Sequence, residues 1–244
     1  MPEHTVKSYE EELVRLNHMV TGMGKLAGEQ LEGAIGAAEH SDVELATRVI
    51  EREPEADRMT LDVENLVIRI LALRQPMAID LRQVLSASKM AGELERVCDH
   101  AKDLSQRLIA LCGAHIEPLP SLADLGRYAI TMINDAMRAY TEMDGAEARA
   151  VWHRDSELDA RYTALFREIL TYMLEDPRQI SAATQMLFMA RTIERIGDRA
   201  TNIAEIVLYL VGGTPVEEER PKADATKSMM LSEPSPRPAA FHWQ

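Results

Sequence analysis

Nearly the same ten residues occur twice in this chain, each time inside a stretch with the periodicity of a helix. Residues 94–103 read LERVCDHAKD and residues 193–202 read IERIGDRATN, so that Glu95 and Glu194 stand 99 positions apart. Around both copies apolar residues recur three and four positions apart, which is the spacing of one buried helix face. A repeat of about 100 residues is too long for a solenoid unit and fits a duplicated three-helix bundle.

Breaks in the helical pattern divide the chain into two sets of three predicted helices. The first set covers about 8–38, 42–74 and 78–111, and the second covers about 122–142, 145–174 and 177–212. Proline, glycine and capping aspartates mark the ends of these stretches. We therefore predict an all-α, elongated fold of two tandem three-helix bundles. The predicted units are a first bundle at 1–114, a linker at 115–121, a second bundle at 122–213 and a disordered, proline-rich tail at 214–244.

Composition narrows the classes of function. Hydrophobic residues make up 46% of the chain and aromatic residues only 5%, which favours long helices over sheets. The formal net charge of −13 disfavours a nucleic-acid groove and suits cations or partners with basic patches. The amino terminus lacks the apolar core of a signal peptide, and no apolar run approaches the length of a membrane span. We expect a cytoplasmic protein with two reduced cysteines and no integral membrane segment.

Acidic side chains line one face of four predicted helices. In the first copy of the decapeptide they recur at positions i, i+4 and i+8, and in the second at i and i+4 with asparagine at i+8; each of these steps turns by only about 40° around a helix. The preceding helix of each set carries a further acidic pair. The candidate metal ligands of the first bundle are Glu53, Asp57, Glu95, Asp99 and Asp103. Those of the second bundle are Asp155, Asp159, Glu194, Asp198 and Asn202.

Crowded carboxylates at this spacing point to cation binding. Neighbouring negative charges on a helix repel one another, and a multivalent cation removes that repulsion. Ligation by oxygen alone suits iron, manganese, magnesium or calcium better than zinc, and carboxylates can bridge two or more ions. The alternative interpretation is that the acidic rows are ordinary solvated helix faces. Pro54 follows Glu53 and is expected to disturb the second helix at that position.

The order of these motifs resembles the PhoU family, the accessory regulators of the high-affinity phosphate transporter. The resemblance covers about 9–210 and is carried by RQPMAIDLR at 74–82, by the first decapeptide and by IERIGDRATNIAE at 193–205. It implies two similar three-helix bundles, usually in a homodimer. It also implies negative control of phosphate-starvation genes through a membrane sensor histidine kinase, and contact with the ATPase subunit of the phosphate ABC transporter.

The same resemblance bears on the acidic rows. Family members carry iron, zinc or other metals at E/D-x-x-x-D motifs, which implies divalent or trivalent ions here, as single ions or multinuclear centres; manganese and magnesium remain open. The family usually has asparagine after each motif, as at Asn202, whereas Asp103 departs from that pattern. Cys98 stands where the family commonly has glycine, as at Gly197, and is expected to alter the packing there.

Two other classes of function remain open on the residues alone. A carboxylate-bridged di-metal enzyme also uses long helices with inward glutamates, but it typically needs Glu-x-x-His on two helices, and none of the seven histidines has glutamate three residues before it. A purely structural helical scaffold would bind no stoichiometric metal. The residues favour a non-enzymatic protein with metal held by carboxylates, and the resemblance to the PhoU family implies that it is a regulator.

Overall fold

The computed structural model of the protein describes residues 2–113, 119–218 and 220, with side chains from Ser8 onward. Within these ranges the chain forms seven α-helices and one short 3-10 turn, without any strand, so the all-α prediction is confirmed. The helices are α1 (Pro2–His40), α2 (Val43–Arg74), α3 (Ala78–Gly113), α4 (Pro120–Glu142), α5 (Gly145–His153), α6 (Asp155–Glu175) and α7 (Ile180–Gly212). None of the described helices is long and apolar enough to cross a membrane.

The helices pack as two bundles in tandem. α1, α2 and α3 contact one another in the first bundle, and α4, the α5–α6 pair and α7 do so in the second. Each bundle buries the apolar stripe beside its decapeptide, with Leu94 and Val97 fully buried on α3 and Ile193 and Ile196 on α7. The predicted duplication of a three-helix bundle is therefore confirmed.

Local chemistry explains where most helices begin and end. The Asp42 carboxylate caps α2 by accepting a hydrogen bond from the Leu45 amide at 2.9 Å, and Asp144 caps α5 in the same way through Ala146 at 2.8 Å. α2 ends at Gln75, whose φ of 50° is left-handed. The residue before a proline avoids helical geometry, and Pro76 follows Gln75 directly.

The fifth predicted helix is two helices in the structure. α5 and α6 meet at Arg154, whose guanidinium binds Asp135 on α4, and the Ser156 hydroxyl donates to the His153 carbonyl at 3.2 Å. Neither glycine nor proline lies near this break, so the helical pattern alone did not indicate it. By contrast, α2 runs through Pro54 without interruption, and the expected disturbance at Glu53 does not break the helix.

Residues at the connection between α2 and α3 hold α1 against these two helices. Arg74 donates from Nε to Glu12 at 2.8 Å and from Nη2 to Ser8 at 2.9 Å. The Tyr9 hydroxyl donates to Asp80 at 2.9 Å. The RQPMAIDLR motif therefore supplies ion pairs and hydrogen bonds between helices at this end of the first bundle.

Close helix contacts join the two bundles. α1 packs on α4 and α3 packs on α7. A Cβ atom added to Gly24 on α1 would collide with Met137 on α4, and one added to Gly126 on α4 would collide with Ile35 on α1. Glycine at these two positions therefore allows the helices of different bundles to approach each other.

The two halves fill the space beside the decapeptide differently. A Cβ atom on Gly197 of α7 would collide with the Leu158 side chain of α6. In the first half the residue equivalent to Gly197 is Cys98, which is buried, and the residue equivalent to Leu158 is Ala56, also buried. The second half thus pairs glycine on α7 with leucine on α6, whereas the first half pairs cysteine on α3 with alanine on α2.

The predicted linker and tail fall partly outside the described residues. Of the linker, residues 115–118 are not described, whereas Leu119 precedes α4 and Pro120 and Ser121 belong to it. Of the tail, residues 214–218 and Arg220 are described, and Val216 packs against the apolar core. The prediction of disorder for residues 219 and 221–244 lies outside the described ranges.

Two acidic clusters as candidate metal centres

The first acidic cluster consists of Glu53 and Asp57 from α2 and Glu95 and Asp99 from α3. The Asp99 carboxyl group lies within hydrogen-bonding reach of both Glu53 and Glu95. Glu53 is buried, Glu95 is half-buried, and Asp57 and Asp99 are exposed. Lys102 on α3 donates from Nζ to Glu53 Oε2 at 2.8 Å. Adjacent helices therefore bring four carboxyl groups to one region of the surface, with a partly exposed lysine paired to the buried Glu53.

Burial and mutual repulsion favour protonation in the first cluster. Desolvation, followed by the charges of Asp99 and Asp57, raises the pKa of Glu95 to about 7. Desolvation and the hydrogen bond with Glu53 raise the pKa of Asp99 above its usual range. Burial beside these carboxylates also raises the pKa of the Cys98 thiol to about 12, so that this thiol stays neutral. In the absence of a cation, the cluster is stabilised by a proton.

The raised pKa of Glu95 predicts how stability changes with pH. Between its ordinary pKa of 4.5 and the folded pKa of about 7, the folded protein keeps a proton that the unfolded chain releases. This contribution to stability is therefore present at pH 4.5 and is lost as the pH rises through 7. We expect Glu95→Gln to stabilise the metal-free protein at pH 8 relative to the unmodified protein, and to do so much less at pH 4.5.

Thermal unfolding in a chelating buffer, measured from pH 4.5 to 8, checks this prediction. The quantity of interest is the difference in Tm between Glu95→Gln and the unmodified protein, which removes pH effects common to both. A difference that stays constant across this range would show that Glu95 is not held in a proton-retaining state.

The second acidic cluster consists of Asp155 and Asp159 from α6 and Glu194 and Asp198 from α7. It is more deeply covered than the first, since Asp155 is 3% exposed, Asp159 4% and Glu194 5%. Burial, opposed by Arg220 and reinforced by Asp159 and Asp198, raises the pKa of Asp155 to about 6. The two clusters occupy equivalent places in the repeat, but only the first opens broadly to solvent.

Hydrogen bonds in the second cluster leave a buried oxygen of Asp155 without a donor. The Thr201 hydroxyl donates to Asp155 Oδ1 at 3.2 Å, and Arg191 donates to Glu194 Oε1 at 3.0 Å. Asp155 Oδ2 is buried and accepts no hydrogen bond from any described residue. A buried carboxylate oxygen without a donor is costly, and it is a suitable ligand for a cation.

The structure adds a residue that the sequence pattern did not indicate. Arg220, in the predicted tail, donates from Nη1 to Asp198 Oδ1 at 2.9 Å and from Nη2 to Asn202 Oδ1 at 2.5 Å. Its Nε lies 3.9 Å from Asp155 Oδ2. The only local signal was a single arginine at the end of the acidic run EEER at 217–220.

The third member of each acidic row turns toward the other bundle. Asp103 accepts hydrogen bonds from Arg107 at 2.9 Å and from Thr192 of α7 at 2.8 Å. Asn202 donates from its amide to Glu93 of α3 at 3.0 Å. Two successive steps of about 40° carry these positions far enough around the helix to face the α3–α7 contact. Asp103 and Asn202 are thus placed between the bundles, although Asn202 still reaches Arg220 at the edge of the second cluster.

The residues of both clusters have the chemistry of a hard-cation site, but their side chains are not arranged around an ion. All the candidate ligand atoms are carboxylate oxygens, and the buried Asp155 Oδ2 accepts no hydrogen bond from the described residues. As they stand, no three histidine, cysteine, aspartate or glutamate side chains of the described residues converge closely enough to ligate one ion. Lys102 and Arg220 hold carboxylates in ion pairs, so that metal binding requires these side chains to rearrange.

Comparison with known proteins places the chain in a family. The PhoU domain family matches residues 20–108 and 122–207, one match in each half. The phosphate-specific transport system accessory protein PhoU homolog of Caulobacter vibrioides (strain NA1000 / CB15N) is 43% identical over 228 residues, which are 92% of this chain and 98% of the relative. The corresponding PhoU of Escherichia coli (strain K12) is 38% identical over 212 residues, covering 86% and 88% of the two chains.

Solved structures agree with the sequence relatives. The crystal structure of PhoU from Pseudomonas aeruginosa matches with a TM-score of 0.80 and 36% identity, covering 84% of this chain and all of that one. The phosphate transport system regulatory protein PhoU from Streptococcus pneumoniae matches with a TM-score of 0.80 and 28% identity, covering 86% and 100%. Two family domains in tandem, near-complete coverage of the relatives and a shared fold show that this chain belongs to the PhoU family.

Proposed function

We propose that the protein is an accessory regulator of phosphate-specific transport. The observation that carries this proposal is the similarity to phosphate-specific transport system accessory proteins over nearly the full length of both chains. The Caulobacter vibrioides protein is 43% identical, with 92% of this chain and 98% of the relative aligned. Because both family domains are present in full order, the similarity extends over the whole architecture and is not confined to one motif. We assign the chain no catalytic step.

The regulation is negative and acts through protein contacts in the cytoplasm. When phosphate is plentiful, a homodimer of the protein contacts the ATPase subunit of the phosphate transporter and the phosphate sensor histidine kinase, and holds the kinase in its inactive signalling mode. The charge of the chain supports this proposal, since a net charge of −13 favours association with basic patches on a partner.

Deletion of the gene tests the regulatory proposal. In phosphate-rich medium we expect a phosphate-starvation reporter to be switched on in the deletion strain, because the kinase loses its restraint. Reintroduction of the unmodified gene should switch the reporter off again. Reporter expression that is equally low with and without the gene in phosphate-rich medium would contradict the proposed regulation.

Metal binding by the acidic clusters is the second part of the proposal. In the first bundle Glu53, Asp57, Glu95 and Asp99 would hold a divalent or trivalent cation, and the equivalent four residues would do so in the second. Burial, and after it the neighbouring carboxylates, raise the pKa values of Glu95 and Asp99. A bound cation would supply positive charge that favours the ionised carboxylates against both effects. These carboxylates come from two helices of one bundle, so that an ion between them fixes the helices relative to each other.

The difference between the bundles supports unequal roles for the two clusters. The first is exposed at Asp57 and Asp99, whereas the equivalent Asp159 is buried and Asp198 is half-buried. An ion in solution can therefore reach the first cluster directly. Access to the second is restricted by Arg220, which contacts Asp198 and Asn202 at the edge of that cluster.

A further inference from the structure

The chain folds back over the second bundle after α7. Gly213 has a φ of 81°, a left-handed conformation that favours glycine at this turn. Val216 then packs against the apolar core, and Glu218 pairs with Arg149 of α5 at 3.0 Å. We call residues 213–218 together with Arg220 the return segment. Apolar and ionic contacts on the second bundle hold it in place.

Arg220 places a positive charge at the edge of the second acidic cluster. Its guanidinium contacts three groups of the predicted metal site, namely Asp198 at 2.9 Å, Asn202 at 2.5 Å and Asp155 at 3.9 Å. The Arg220 side chain is only 17% exposed. The buried Asp155 Oδ2 faces this guanidinium but accepts no hydrogen bond. The cluster is thus supplied with a cation from the chain itself, while one buried ligand oxygen is left incompletely satisfied.

In the first bundle, the positive charge beside the acidic cluster comes from one of the bundle's own helices. Lys102 of α3 donates to Glu53 at 2.8 Å. The residue equivalent to Lys102 in the repeat is Thr201 of α7, which donates a neutral hydrogen bond to Asp155, the residue equivalent to Glu53. Asp155 therefore lacks the ion pair that Lys102 gives to Glu53, because Arg191, a cation of α7 at this cluster, pairs with Glu194 Oε1 instead. Arg220, which follows the last helix of the bundle, brings a positive charge to within 3.9 Å of Asp155 Oδ2.

We propose that the return segment is a removable closure of the second acidic cluster, with Arg220 standing in place of a hard divalent cation. A metal ion enters this cluster only when Arg220 withdraws with its segment, whereas entry to the first cluster requires only the Lys102 side chain to move from Glu53. This inference rests on the proposed metal binding and adds its regulation. Metal binding at the second cluster and docking of the return segment are therefore mutually exclusive.

Mn²⁺ binding by purified full-length protein tests this closure. All variants in this experiment, and the protein to which they are compared, also carry Glu95→Gln and Asp99→Asn. These two substitutions remove the first cluster as a competing site, and the protein that carries only them is called the background protein. We expect Arg220→Met in this background to bind Mn²⁺ about 10-fold more tightly, because charge-assisted hydrogen bonds that compete with the metal are lost. The control is Arg178→Met, which removes the same charge from an exposed ion pair with Asp176 before α7 and should leave the affinity unchanged.

Hydrogen exchange separates displacement of the segment from a simple change of charge. Adding Mn²⁺ to the background protein should accelerate amide exchange across residues 213–218, since the ion and Arg220 compete for the same oxygens. Equal Mn²⁺ affinity with and without Arg220, or exchange unaffected by bound Mn²⁺, would overturn the closure while leaving metal binding by the first cluster intact. Failure of every variant and of the unmodified protein to bind Mn²⁺ would overturn the closure and the proposed metal function together.

Discussion

Replacing Gly197 with alanine should destabilise the protein by about 2 kcal/mol, although alanine normally favours a helix. The gain in helix propensity is about 1 kcal/mol. It is outweighed by overpacking, which costs about 3 kcal/mol when a core cannot yield, because the new Cβ atom collides with Leu158 on the neighbouring helix. Urea unfolding of the metal-free protein measures the difference in the free energy of unfolding.

The matched control is Gly92→Ala on α3. Gly92 also lies inside a helix, but a Cβ atom added there meets nothing within 4 Å. We therefore expect this variant to be stabilised by about 1 kcal/mol through helix propensity alone. A lower free energy of unfolding for Gly197→Ala together with a higher one for Gly92→Ala would attribute the cost at Gly197 to the contact with Leu158. Stabilisation by both substitutions would contradict it.

The first half of the chain indicates how the cost at Gly197 can be relieved. There Cys98 is equivalent to Gly197, and Ala56 is equivalent to Leu158. The double variant Leu158→Ala/Gly197→Cys transplants this combination into the second half. We expect it to be about 1–3 kcal/mol more stable than the sum of the single variants predicts, and additive effects would show that the two positions do not share one space.

Neutralising the first cluster should produce the largest change in metal binding. Glu95→Gln together with Asp99→Asn removes two of the four carboxylates that α2 and α3 bring together. We expect the tightest Mn²⁺ site of the full-length protein to weaken at least about 100-fold, since affinity in such sites follows the number of charged oxygen ligands. Equilibrium dialysis of metal-stripped protein against Mn²⁺ measures this change.

Asp103→Asn is the discriminating control for the first cluster. The sequence pattern predicts Asp103 as a third ligand in the same row, whereas its carboxylate is bound to Arg107 and to Thr192 across the bundle contact. From this geometry we expect Asp103→Asn to leave Mn²⁺ affinity unchanged within about 2-fold. A loss as large as that of the double variant would restore Asp103 to the ligand set and contradict the assignment made from its contacts.

The arrangement of the bundles followed from the sequence because the buried face repeats along each helix and the breaks carry local chemistry. Asp42, Pro76 and Gly213 each stop or start a helix through an interaction with their immediate neighbours. The convergence of Glu53 with Asp99 was also predictable, because two acidic rows beside the apolar stripes of packed helices must approach each other. The helix ends depend on residues one or two turns apart, and the convergence depends on where each acidic row lies beside the apolar stripe of its own helix.

Features that depend on distant residues were not predictable in the same way. The direction of Asp103 is decided by Thr192, 89 positions away, because α3 packs on α7. The break at Arg154 depends on Asp135 of another helix. The position of Arg220 depends on a turn at Gly213 and on Asp198, 22 positions away. Its local sequence therefore resembles an ordinary solvated run of charges. Helical periodicity within one segment of sequence does not identify such distant partners.

The most direct test of the proposed metal function is anomalous X-ray scattering from crystals of the full-length protein equilibrated with Mn²⁺. We expect an anomalous peak between α2 and α3, bound by carboxylates among Glu53, Asp57, Glu95 and Asp99. At the second cluster we expect a peak only in molecules where Arg220 has withdrawn from Asp198. Crystals that show Mn²⁺ at neither cluster, or only at unrelated surface carboxylates, would contradict the claim that paired helices of this protein hold a cation.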